Sequence, residues 1–194
     1  MDLLDAHGTA LADFDRLVRA VPEDRWASPT PCAEWSVRDL VGHLVTEQLW
    51  VPALLGGATI AEVGDRFDGD PLGGDPVAAW RAGADVARRA WLEPGVLDRS
   101  VHLSYGDDRA TNYGWQMTLD LAVHSWDLAS GIGGDSGDRA GYRVPDELAE
   151  DLLAVFTPVI QQWQGLGLFE PPLPDWDGAA DPHTRLLGLL GRKS

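Results

Sequence analysis

The sequence predicts an all-α protein, an antiparallel bundle of four long helices with a short C-terminal elaboration. Three observations carry this. Apolar residues recur at helical spacing through several long segments, and Ser, Asp, Pro and Gly punctuate those segments where helices start and stop. Alternation of period two occurs once, from Val101 to Tyr105. At 194 residues and 44% hydrophobic content, the chain reads as one domain over 1–194, with the bundle over about 2–165 and a tail with a short helix over 166–194.

The first helix runs over residues 3–21, with Leu4, Leu11, Phe14, Val18 and Val21 on its stripe and Pro22 as its stop. A loop containing "PEDRWASPTPCAEW" follows. Ser36 with Asp39 three residues on resembles a capping box, so the second helix starts near Ser36 and ends before Gly56-Gly57. The stretch "GGATIAEVGDRFDGDPLGG" lacks periodicity and reads as a long covering loop. Asp75 and Pro76 open a third helix to about Trp91. After a short extended piece turning at "YGDD", the fourth helix spans about Thr111 to Ala129 and stops at Gly131, Gly133 and Gly134. Pro145 opens a fifth helix, and Asp181-Pro182 a last short one ending at Gly191.

Thirty-one acidic against fifteen basic residues give a formal charge of -16. That field repels phosphate backbones and anionic headgroups, which excludes nucleic acid and membrane surface as partners. No leader-like N-terminus and no apolar run of membrane-spanning length is visible, so a cytoplasmic protein is expected. The single cysteine, Cys32, excludes an internal disulfide. It lies in an irregular loop with no basic neighbour and reads as a small buried hydrophobe.

The fourth helix is apolar nearly all round, yet Asp120 and His124 project together from one face at i, i+4 spacing. A buried carboxylate needs a cation, and no Lys or Arg lies between Thr111 and Ser130. A divalent metal is the economical answer. His43, which flanks the apolar stripe of the second helix, can complete a three-ligand N/O set with coordination positions left open. Glu47, one turn on, is a candidate hydrogen-bond acceptor for His43, a fourth ligand or a general base. The competing reading makes Asp120 and His124 a buried ion pair with a protonated imidazole, and His43 an interfacial histidine. Among the other histidines, His7 suits a core or interface place, and His102 and His183 suit the surface. Trp50, Trp115 and Trp126 are candidates for a pocket wall.

"TPCAEWSVRDLVGHLV" and "DLAVHSWDLA", followed by a terminal "RLLGLLGR", resemble the actinobacterial DinB-like family that includes the mycothiol-dependent maleylpyruvate isomerases. The resemblance implies a metal, zinc before nickel, iron or manganese, on His43, Asp120 and His124, with mycothiol as co-substrate. Aspartate at 120 stands where the isomerase has glutamate, and only about fifty residues follow the fourth helix where the isomerase carries a further C-terminal domain. The implied activity is S-transfer to, or cis-trans isomerisation of, a small electrophile by a metal-held thiol, with Glu47 moving the proton. The alternative is a metal-binding sensor or stress-response module without turnover. A homodimer through an exposed helical face is left open.

Overall fold

The computed structural model describes residues 1–133, 141–163, 170–179 and 181–193. It is mostly helical, with seven α-helices and one hairpin among the described residues: α1 (Leu3–Ala20), α2 (Val37–Leu55), α3 (Ile60–Val63), α4 (Pro76–Trp91), β1 (Ser100–Leu103), β2 (Gly106–Arg109), α5 (Ala110–Gly133), α6 (Asp146–Trp163) and α7 (Pro182–Leu189). The chain divides into two compact units, Asp2–Gly141 and a second comprising Met1 with Tyr142–Ser194. The sequence reading has one domain and carries the bundle on to about residue 165. That expected boundary and the stop residue Gly134 lie outside the described residues.

Within Asp2–Gly141, α2 packs on α4 and α5, and α1 packs on α5 and α4. The starts are fixed by local chemistry. Ser36 and Asp39 form a reciprocal capping box at α2, and Asp75 caps α4 with Pro76 in its first turn. Trp80 is fully buried against Phe14, with ring centroids 4.6 Å apart, and donates its indole N–H to Asp15 at 3.2 Å. Around Trp91 gather Val51, Leu54 and Leu55 of α2 with Ala110, Tyr113 and Met117 of α5. Gly114 makes the close approach possible, because a Cβ there would stand 2.8 Å from Leu3 and 3.3 Å from Trp91.

Two local expectations change. The extended piece at Val101 is half of an antiparallel hairpin pairing Ser100 with Arg109 and Leu103 with Gly106. Gly106, at φ 127°, takes a turn conformation that side-chain-bearing residues avoid. The long loop after Gly57 contains α3, a single turn closed by a Thr59/Glu62 capping box.

In the second unit α6 packs on α7, with Leu148, Leu152, Leu186 and Leu187 buried. His183, expected at the surface, is 3% exposed because its Nδ1 accepts the backbone N–H of Val144 at 3.1 Å.

His7 is buried as expected, its Nδ1 3.2 Å from an Arg88 guanidinium nitrogen. Burial, helped by the Arg88 charge, lowers its pKa to about 3. The native value lies below the unfolded 6.5, so this residue's share of stability is present at neutral pH and is lost as pH falls from about 6.5 toward 3. The urea midpoint of the parent should therefore fall more steeply between pH 6.5 and 4 than that of His7→Gln, and parallel curves would show that His7 does not titrate this way.

Candidate metal centre

The face of α5 that meets α2 carries Asp120, His124 and Asp127, spaced by one turn each. His43 reaches this face from the second turn of α2. Its Nε2 lies 3.4 Å from Asp120 Oδ2, and His124 Nε2 lies 3.3 Å from Asp120 Oδ1. One donor atom from each of the three residues falls in a set whose members are all within 4.8 Å of one another. Tetrahedral ligands at roughly 2.0–2.1 Å from zinc stand about 3.3 Å apart; each imidazole lies near that distance from one Asp120 oxygen, His43 from Oδ2 and His124 from Oδ1, so the cluster can close on an ion with small adjustments. Asp120 Oδ2 is also inaccessible to solvent, and its contact with His43 Nε2 is long at 3.4 Å, so the oxygen is weakly satisfied, a condition that a cation would relieve.

Without a metal the cluster is a charged hydrogen-bonded group. Burial favours neutral forms throughout, and elsewhere it would win. At Asp120 it is outweighed by the charge and hydrogen bond of His124 and by those of His43, which hold the carboxyl well below the usual range. At His124 burial is overcome by the charge and hydrogen bond of Asp120, then by hydrogen bonding with Asp127 and Cys32, and the imidazole's pKa is raised well above its ordinary value. His43 is raised too, since Asp120 and Glu47 outweigh burial. A metal must displace these protons. Metal affinity should accordingly rise with pH, by up to about tenfold per unit for each proton displaced, and level off once both imidazoles are neutral. Titration calorimetry in buffers of differing ionisation enthalpy reads the proton count; uptake without proton release would contradict this arrangement.

Three further residues complete the surroundings. Asp127, 0% exposed, takes His124 Nδ1 at 2.9 Å. A carboxylate only accepts, so Nδ1 carries the proton and Nε2 is turned toward Asp120, the tautomer a metal-binding histidine needs. Cys32 departs from the expected buried hydrophobe: it is partly exposed, its thiol donates to Asp127 at 3.2 Å, and it lies 3.6 Å from His124 Nδ1. Trp35 lies against both imidazoles, with centroids 4.9 Å from His43 and 5.8 Å from His124. Asp127 carried a readable signal, a second carboxylate in a helix without cations. Cys32 and Trp35 carried none, since loop geometry brings them here.

Glu47 stands outside the set of converging donor atoms, so this geometry gives no support to its reading as a fourth ligand. Burial and the charge of Asp120 raise its pKa, although His43 and His124 oppose the rise. Nearby, Gln48 and the Tyr113 hydroxyl are buried without hydrogen-bond partners among the described residues. An open groove of about 530 Å³ runs beside the cluster, lined by Trp35, Arg38, His43, Thr46, Asp70 and Leu72 among others. Its outer wall belongs to the covering loop. Arg38 ties that wall to α2 through Asp70 at 2.7 Å and the Gly73 carbonyl at 2.8 Å. Of the tryptophans expected to wall a pocket, none lines this groove; Trp50 packs near Phe67 instead.

A sequence model described as the mycothiol maleylpyruvate isomerase N-terminal domain matches residues 7–129, a span containing Cys32, His43, Glu47, Asp120, His124 and Asp127. The chain belongs to this family. As a member it has a relative among the uncharacterized proteins of Mycobacterium tuberculosis that is 33% identical over 199 residues, covering 99% of this chain and 98% of the relative. A second uncharacterized protein of that organism is 37% identical over 62 residues, covering 31% of this chain and 24% of the relative. The crystal structure of the mycothiol-dependent maleylpyruvate isomerase superposes with a TM-score of 0.62 at 14% identity, over 93% of this chain and 79% of the isomerase. A variant of that isomerase gives 0.63 over the same shares. These superpositions show a shared fold. The superposed share, 93% of this chain, runs past the family-model span of residues 7–129. No helix among the described residues is long and apolar enough to cross a membrane.

Proposed function

We propose that this protein is a metal-dependent enzyme in which a small thiol, of the mycothiol type, attacks or isomerises a small electrophile. The fold we assign to Asp2–Gly141 is a DinB-like four-helix bundle of α1, α2, α4 and α5, with His43, Asp120 and His124 as the ligands. The observation that carries the proposal is the groove: it is of small-molecule size, it is open to solvent, and of the proposed ligands His43 lines it. A groove of this size beside a proposed ligand favours the catalytic reading over the non-catalytic one.

A divalent metal, zinc first, would supply Lewis acidity that holds a bound thiol as its thiolate near neutral pH. The chain's own residues do the rest. Asp127 fixes the His124 ring through Nδ1, leaving Nε2 as the donor. Trp35 forms an aromatic wall over both imidazoles and limits water beside them. Glu47, its pKa raised by burial, is suited to accept the thiol proton and return it to the adduct or product.

The test is a titration of the Co²⁺-loaded protein with mycothiol, followed by turnover of maleyl and other activated alkene substrates. A thiolate-to-cobalt charge-transfer band that saturates with added thiol, together with thiol-dependent turnover, is the expected result. Absence of the band with metal bound would overturn the thiol reading.

A further inference from the structure

One loop delivers both Cys32 and Trp35 to His124. Its ends are pinned: Thr30 N–H donates to the Trp35 carbonyl at 3.1 Å, the Thr30 hydroxyl donates to the same carbonyl at 2.9 Å, and Trp35 N–H donates to the Cys32 carbonyl at 3.1 Å. Between them Glu34 takes φ 68°, a conformation unfavourable to a residue with a side chain. The loop also lies directly on α5, where Gly131 makes room for it. A Cβ at that position would stand 2.8 Å from Val37, 3.1 Å from Thr30 and 3.2 Å from the Pro29 carbonyl. A strained turn and a helix glycine thus coincide where the loop meets the turn of α5 that follows Asp127.

The chemistry at the contact explains what this achieves. Asp127 is fully buried on a helix with no Lys or Arg from Thr111 to Ser130, so its carboxylate depends on hydrogen-bond donors. His124 Nδ1–H and the Cys32 thiol both donate to Oδ2, at 2.9 Å and 3.2 Å. We propose that Cys32 is a positioning residue: its thiol, delivered by the loop, holds the Asp127 carboxylate in the orientation that fixes the His124 ring for metal binding. Removing one of the donors on Oδ2 loosens the hold on the carboxylate and so on the ring that the carboxylate orients.

This inference rests on the metal reading, and its experiment separates the two. Co²⁺ alone is the probe, with affinity from chelator competition and geometry from the d–d spectrum, measured for the parent, C32A, C32S, D127N and the C32A/D127N double variant. Circular dichroism monitors folding throughout. C32A is expected to bind Co²⁺ about tenfold more weakly with an altered d–d spectrum, since partners of metal-bound histidines contribute about 10–100-fold to affinity. C32S, which keeps a donor, should restore most of both. Adding C32A to D127N should cost nothing further, because the thiol acts through that carboxylate. Parent-like affinity and spectrum in C32A, or a C32A loss of equal size in the D127N background, would overturn the proposal while leaving the metal reading intact. A cysteine-to-cobalt charge-transfer band in the parent that vanishes in C32S would also overturn it, by making Cys32 a ligand. A parent that takes up no Co²⁺ overturns both readings.

Discussion

Replacing Asp120 with asparagine should lower zinc affinity by about a thousandfold. Zinc sites at neutral pH bind with about 10–16 kcal/mol, and one of three ligands accounts for roughly a third of that. The carboxylate is also the group whose charge keeps His43 and His124 protonated in the metal-free protein. Its loss removes the strongest influence opposing burial at both imidazoles, so both should shift toward their neutral forms, with Asp127 and Cys32 still acting on His124 and Glu47 on His43. The pH dependence of stability follows. In the metal-free parent the two histidines have native pKa values raised above the unfolded value of 6.5; the stability they contribute is complete below about 6.5 and is lost as pH rises through the raised values. Metal-free Asp120→Asn should show less of this alkaline loss. Denaturation midpoints from pH 6 to 9, with chelator present, give the comparison; equal alkaline slopes in parent and variant would show that Asp120 does not hold those protons.

Glu47→Gln is the second large effect, and it separates binding from chemistry. Glu47 lies outside the converging donor set, so the variant should hold its metal as tightly as the parent within a few-fold. Turnover should fall by about 10²–10⁴, the usual contribution of a positioned acid-base group. The pH profile gives an independent check. A base must be deprotonated to act, and Glu47 is raised above the ordinary carboxyl range, so parent activity should fall as pH drops through that raised value. The variant should have lost this acidic limb along with its rate. Full turnover in Glu47→Gln would remove it from the mechanism, and loss of metal would reassign it to the coordination sphere.

What the sequence made legible follows from how local each signal is. Ser36 with Asp39, and Asp75 with Pro76, mark helix starts because capping is decided within four residues. Asp120 and His124 stand out because a carboxylate in an all-round apolar helix must find a cation, an argument that needs only the helix itself. Asp127, three residues after His124 on the same helix, carries the same signal. Cys32 could not be read this way, since its partners lie 92 and 95 residues along the chain. Its place depends on Glu34 adopting a positive φ and on Gly131 clearing space for the loop. His183 looks like a surface residue in the sequence for a related reason: its partner, the Val144 N–H, is 39 residues away. The β-hairpin was half visible because β1 alternates, whereas β2, Gly-Asp-Asp-Arg, has no apolar face to reveal it.

Elemental analysis of freshly purified protein decides whether His43, Asp120 and His124 hold a metal. The parent, His43→Ala and His124→Ala would be prepared without added metal and compared. About one equivalent of a divalent metal is expected in the parent and none in either variant. A parent that contains no metal and takes up no zinc on addition would contradict that assignment, and would leave Asp120 and His124 as a buried ion pair.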